Sequence, residues 1–274
     1  MPLNKYFNPK KYGTKIKHLL VKLVLSLGVS IRVVCRVDKF KITFITTSYI
    51  EYALRAQKSY EREKVTMHWL RYVIESEDVV YDIGANVGAY SLFAGYKVRT
   101  GGGRVYAFEP TYFNYFSLSR NIQENDLANI VIPYSLAVAD LERERRLYLS
   151  SIVSGSALHG LGQTSSEGSE FIPQFQQGVY TISLDIFCAQ DGVEFPNHVK
   201  IDVDGGEAAV IRGMQSIMKD SRLKSIMIEI DSDINGSTIE TEIIGCGFQE
   251  ELVESWQGKN VYNKLFVRNS RCND

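Results

Sequence analysis

Apolar residues recur at helical spacing near the start of the chain, where Tyr12, Ile16, Leu19, Leu20, Leu23, Val24 and Leu27 predict one stripe of a helix. Lys11, Lys15, His18 and Lys22 step by four, three and four, so they share another side of the same helix. Residues 39–46 (KFKITFIT) alternate polar and apolar, which predicts a strand, and 51–75 return to a helical pattern with Leu54, Met67, Leu70, Val73 and Ile74 available for burial. From Val79 the pattern becomes β–α–β. VVYDI reads as a strand, AYSLFAGYKV as a helix, the glycines at 101–103 as a turn and RVYAFE as a second strand. FSLSRNIQEND predicts a helix, NIVIPYSLAV a third strand and HVKIDVD a fourth. Helix EAAVIRGMQSIMKD, strand KSIMIEI and a last strand NKLFVR complete the series. Strands alternating with helices predict an α/β domain with a parallel, doubly wound sheet. The Ser-, Gly- and Gln-rich stretch 150–178 is the longest predicted loop, of a length often used as a lid.

At 274 residues the chain is long enough for one large domain, divided here into residues 1–50, a basic amphipathic helix and first strand, and residues 51–274. Lys plus Arg is 31 and Asp plus Glu is 32. A net charge of −1 argues against electrostatic capture of nucleic acid. The charge is uneven, however. Lys5, Lys10, Lys11, Lys15, Lys17, Lys22, Arg32 and Arg36 precede Asp38, the first acidic residue. Two outcomes are open for residues 1–37: the apolar stripe docks on the protein's own body with the lysines in water, which this reading favours, or the helix lies on an anionic membrane surface. The apolar run Leu23–Ile31 is short and closed by Arg32, so it reads neither as a secretory signal nor as a span. Cys35, Cys188, Cys246 and Cys272 are far apart, which fits a reducing, cytoplasmic location, with or without peripheral contact at the inner face of the membrane.

The sharpest local motif is Asp82-Ile83-Gly84-Ala85-Asn86-Val87-Gly88, directly after the VVY strand. Glycines at a strand-to-helix turn let backbone approach a ligand closely. Asn86 occupies the second glycine position of a dinucleotide fingerprint, and no G-K-[ST] follows, which weakens nicotinamide and Walker readings. An acid followed by a glycine loop suits a cationic, carboxylate-bearing nucleoside: the helix N-terminus can meet a carboxylate and Asp82 an ammonium. The second strand ends at Glu109, 27 residues on, where an acidic side chain can accept both ribose hydroxyls.

Taken in order, VVYDIGANVGAYSLFA, VYAFEP, NIQENDL, SLAVAD, TISLD and VKIDVDGGEAAVIRG resemble the FkbM-type S-adenosylmethionine-dependent methyltransferases. The resemblance runs from about residue 40 to about residue 230. It implies a class I methyltransferase, Rossmann-like fold with a seven-stranded, mostly parallel sheet whose last strand is inserted antiparallel. It implies S-adenosylmethionine as donor and a hydroxyl of a small molecule or glycan as acceptor. Asp82, Gly84, Ala85, Asn86 and Gly88 would hold the methionine end and Glu109 the ribose, while Ser135–Asp140, with Ala137, would border the adenine.

On the acceptor side, Asp202 ends the fourth strand, with Asp204 and Glu207 within a turn. Carboxylates crowded together raise one another's pKa, which makes a usable base. Glu229 and Asp231 would sit beside Asp202, and such a group could take a divalent cation. His159 is a further candidate base, Asp185 reads as a helix N-cap, and Tyr112 could flank the adenine. A non-catalytic protein of the same fold and, less favoured, an NAD(P)-dependent oxidoreductase stay open as other readings.

Overall fold

The computed structural model describes residues 9–56, 58–166, 169–234, 236–255 and 260–269. Residues 1–8 of the basic segment and Cys272 lie outside them. Helix α1 (Pro9–Ser26) leads into a hairpin of β1 (Ile31–Val37) and β2 (Phe40–Thr46). The main sheet holds β3 (Val79–Ile83), β4 (Arg104–Phe108), β5 (Val131–Tyr134), β6 (His198–Ile201), β7 (Ser225–Asp231), β8 (Phe248–Ser255) and β9 (Val261–Arg268). Their order is β8-β9-β7-β6-β3-β4-β5, with β9 antiparallel to both neighbours and the central pairs parallel. This is the expected class I methyltransferase arrangement. Every residue of β3 is buried, as a strand covered on both faces requires.

Two apolar clusters flank the sheet. One gathers Phe44, Met67, Trp69, Leu92 and Phe93, so the β1–β2 hairpin shares a core with the domain. The other gathers Tyr81, Phe108, Phe187 and Ile228. The hairpin's free edge is closed by side chains of α3 (Tyr112–Glu124) and the residue after it, α2 being Ala89–Val98. Asn121 Oδ1 accepts from the Ile45 amide at 2.9 Å, and Asn125 both accepts from the Thr43 amide at 2.8 Å and donates to its carbonyl at 2.7 Å. Two amides thereby act as a surrogate strand.

Several predicted elements take another form. The helix expected over 51–75 is broken into four short pieces, two of them π-helical turns (Glu51–Ala56 and Trp69–Val73). Strand NIVIPYSLAV stops at Tyr134, and Pro133 is tolerated because β5 is the sheet edge. Ala137–Val138 then leave for a second sheet with Arg143–Leu149, Gly160–Leu161 and Phe175–Ile182, so the predicted loop 150–178 is interrupted by short strands. Helix EAAVIRGMQSIMKD breaks at Gly213, where a Cβ would stand 2.2 Å from the Ala139 carbonyl oxygen. Asp185 does not cap its own helix. Ser183 does, and Asp185 instead accepts from the amides of Ser216 and Ile217 at 2.9 and 3.0 Å, capping the helix Gln215–Lys219. Strand β8, whose Glu- and Gln-rich sequence carries little strand signal, was not expected from the pattern of the residues.

The apolar stripe of α1 does not dock on the body. Leu25 and Val21 face the core, while Ile16, Leu19, Leu20, Leu23 and Leu27 are exposed. Tyr49 explains the reversal: its hydroxyl bonds the His18 ring at 2.9 Å and its face receives Lys22 at 4.4 Å.

At the end of the sheet opposite the glycine loop, a polar chain is sealed in the core. Trp69 Nε1 donates to Ser225 Oγ at 2.8 Å, Ser225 Oγ meets His198 Nδ1 at 2.7 Å, and His198 Nε2 meets Asp78 Oδ2 at 2.8 Å. All four residues are buried, so this Ser–His–Asp row is structural. Burial pushes the His198 pKa down. Burial opposes the Asp78 charge too, but hydrogen bonds from His198 and Lys224 outweigh it and hold that carboxyl well below its usual range. Below about pH 6.5 the unfolded histidine takes a proton that the folded one resists, and below about pH 3.9 the unfolded aspartate does the same, so both groups make acid destabilising. Urea denaturation should show stability falling as pH drops through these values. Ser225→Ala, which strands two buried partners, should lose about 1–3 kcal/mol at neutral pH; an unchanged midpoint would contradict the network's role.

Candidate active site

The loop after β3 is shaped by contacts with its own protein. Gly84 has φ +84°, and a Cβ there would stand 1.8 Å from the Asp202 carbonyl oxygen, so only glycine lets the loop abut the end of β6. At Gly88 the demand is on the backbone instead, since φ +92° is a conformation that side chains rarely adopt. The loop amides already have acceptors. Gly84 and Ala85 donate to the Phe108 carbonyl, Asn86 to Glu109 Oε2 at 2.9 Å, Val87 to Asn86 Oδ1 and Gly88 to the Ala85 carbonyl. The expectation that these amides meet a ligand carboxylate therefore gives way to a loop braced on β4.

Beside this loop, at the carboxyl ends of β3, β4 and β6, opens a cleft of about 990 Å³ with the open solvent at its mouth included. Gly84, Asn86, Glu109, Ala137, Asp202 and Asp204 line it. Open parallel sheets bind ligands at this edge. Glu109 is buried, its Oε1 accepting from the Thr111 amide at 2.8 Å, and burial pushes its pKa up. Ala137 sits in an apolar wall with Leu136, Val138, Leu147 and Leu161. Tyr112 is half exposed and outside the lining.

Asp82, Ala85, Gly88 and Glu207 are also outside the lining. Asp82 is buried. Its Oδ2 accepts from Ser91 Oγ, and its Oδ1 has no hydrogen bond but lies 3.9 Å from Lys200 Nζ. The ammonium it faces belongs to the chain itself. Lys200 pairs in register with Asp82 and also reaches Asp202 Oδ2 at 2.9 Å. Burial works against its charge, but Asp202, Asp82 and Glu63 outweigh it and raise its pKa above the ordinary value. Glu207 braces the turn, its Oε1 accepting from the Gly205 and Val203 amides at 3.1 and 3.3 Å.

Asp204 differs from its neighbours. It stands at φ +56°, a region aspartate tolerates better than most residues. Its Oδ2 accepts from the Leu158 amide at 2.7 Å, tying the second sheet's loop across the cleft. Burial, followed by the Asp202 charge, pushes its pKa up to about 7. His159 also lines the cleft, but burial and then Arg55 push it down to about 4, leaving it neutral at pH 7. Glu229 and Asp231 are not in the lining, and among the described residues no group of three or more His, Cys, Asp or Glu side chains is placed to hold a metal ion.

Asn114, Arg55 and Lys200, which the sequence alone did not single out, complete the site. Asn86 Nδ2 and Asn114 Nδ2 both donate to the Ser156 carbonyl, at 3.0 and 3.1 Å, closing the loop over α3. Arg55, from the π-helical turn, lines the cleft with its Nε fixed on the Gly155 carbonyl at 2.9 Å. Nothing in the local pattern marks Arg55. Lys200 was detectable, because a lysine inside an apolar strand requires a buried counter-charge. The cleft thus joins carboxylates, Glu109, Asp202 and Asp204, to an apolar wall around Ala137.

Residues 82–250 match the family model for the methyltransferase FkbM domain. Hexuronic acid methyltransferase AglP of Haloferax volcanii is 28% identical over 186 residues, covering 65% of this chain and 70% of that protein. The 31-O-demethyl-FK506 methyltransferase FkbM of Streptomyces tacrolimicus is 27% identical over 205 residues, 66% of this chain and 76% of that protein. Among solved structures, methyltransferase FkbM from Methylobacillus flagellatus KT aligns with a TM-score of 0.49 at 15% identity, over 71% of this chain and 44% of that longer one. With more than half its length matched, from the acid of the glycine loop to the start of β8, this chain belongs to the FkbM family of methyltransferases, which use S-adenosylmethionine.

Proposed function

We propose that the protein methylates a hydroxyl oxygen on a glycan or small-molecule acceptor, with Asp204 as the base. The observation that carries this reading is a carboxylate lining the cleft whose proton is held near neutrality. The relatives' names support the acceptor class, one being a hexuronic acid methyltransferase and the other acting on 31-O-demethyl-FK506. Bound S-adenosylmethionine supplies an electrophilic methyl group on a sulfonium. Glu109 accepts hydrogen bonds from the ribose hydroxyls, and the wall around Ala137 covers the adenine. Asp204, through the carboxylate oxygen not held by Leu158, takes the proton of the acceptor hydroxyl. Asp202 stays ionically tied to Lys200 and contributes negative potential beside the methyl group. Glu207 holds the turn that carries Asp204.

The loop amides of residues 84–88 have protein acceptors, so the donor's carboxylate needs another partner. Arg55 is the lysine or arginine in the cleft lining, and its guanidinium is already positioned by Gly155. We assign it that carboxylate. In calorimetry, Arg55→Ala should weaken S-adenosylhomocysteine by about tenfold or more, as for a lost charge-assisted pair, and leave methylthioadenosine, which lacks the amino-acid tail, unaffected. Equal affinities for S-adenosylhomocysteine in the two proteins, with a raised KM for acceptor, would move Arg55 to the acceptor.

The base role is read from the pH profile. The ionised form of Asp204 is the active one, so kcat/KM should rise with pH through about 7 and level off above it. Asp204→Asn should remove that limb and cost about 10²–10⁴-fold in rate while donor binding persists. Full activity in this variant would leave donor positioning alone as the mechanism.

A further inference from the structure

Helix α1 turns its apolar stripe away from the protein. Ile16, Leu19, Leu20, Leu23 and Leu27 are 56–71% exposed, and they fall in a stripe about 100° wide. The body holds the other side, through Leu25, Val21, His18 and Lys22; Leu25 lies about 180° around the helix from Ile16. Val29 and Val34, on the chain that follows, are also exposed. An apolar patch of this extent on one element marks a contact surface.

Charge selects what covers it. The segment before Asp38 carries eight lysines and arginines and no acid, although the whole chain has a net charge of −1. A second copy seated on the stripe would bring the same positive segment against it. An anionic lipid surface brings the opposite charge together with an apolar interior. We propose that α1 lies in the surface of an anionic membrane, with Ile16, Leu19, Leu20, Leu23 and Leu27 at the acyl boundary and the exposed Lys17 at headgroup level. It lies on the bilayer rather than across it, since among the described residues no helix is long and apolar enough to cross a membrane. Helix α1 rests on Tyr49 and Tyr52, and Arg55 reaches the cleft one turn after Tyr52.

The test is cosedimentation of the full chain with phosphatidylcholine vesicles, with and without phosphatidylglycerol, alongside light scattering for oligomeric state. Anionic vesicles should bind at least about tenfold more tightly than neutral ones, with the difference fading in high salt. Leu19→Glu with Leu23→Glu, both at exposed positions, should abolish binding, whereas Leu19→Ile with Leu23→Ile should retain it. Absence of phosphatidylglycerol-dependent binding, or undiminished binding by the glutamate variant, overturns the proposal. So does a dimer that the glutamate variant dissociates, because the stripe would then belong to a second copy. Calorimetric binding of S-adenosylhomocysteine by the same variants keeps this outcome separate from that of the methyltransferase reading.

Discussion

Lys200 carries its ammonium into the interior of the main sheet, where Asp82 of the neighbouring strand and Asp202 two residues on receive it. Removing one partner of such a buried group costs about 3–5 kcal/mol, because the remaining charge has no water to turn to. The pairing joins β3 to the end of β6 at the point where Gly84 must touch the Asp202 carbonyl. From there the constraints run outward. The glycine loop is held against β6, its amides are turned onto Phe108 and Glu109, and Glu109 is thereby fixed at the wall of the cleft.

Val138 and Ile182 of the second sheet join the main apolar cluster, and Leu147, Leu149 and Val179 pack with Phe113; the loop 150–159 is tied to this frame by polar contacts. Ser156 is held by Asn86 and Asn114, Ser154 by Glu51, and Leu158 by Asp204. The residue proposed to take the acceptor's proton is therefore also a tether of the loop over the cleft. Neutralising Asp204 weakens its hold on the Leu158 amide, since an ionised carboxylate is the stronger acceptor. Proton transfer and loop release share one group.

The π-helical turn Glu51–Ala56 links the two faces of this region. Tyr52 packs under α1, Glu51 caps the turn and holds Ser154, and Arg55 enters the cleft. One short element thus touches both α1 and the cleft.

Much of this was legible in the residues alone. The β–α alternation, the glycine loop, the strand-end acids and the basic amphipathic helix follow from periodicity and local conformational preference, which depend on neighbours in the chain. What remained was decided by partners distant in sequence. Glu207 and Asp204 look alike in the sequence, yet one accepts two amides of its own turn and the other faces the cleft. Asp82 was expected to meet a ligand's ammonium and meets Lys200, 118 positions later. The stripe of α1 was expected to seek the core, but Tyr49 holds the lysine side instead. Periodicity states that a helix has two sides; only the packing of Tyr49 and Tyr52 against it decides which one the protein covers.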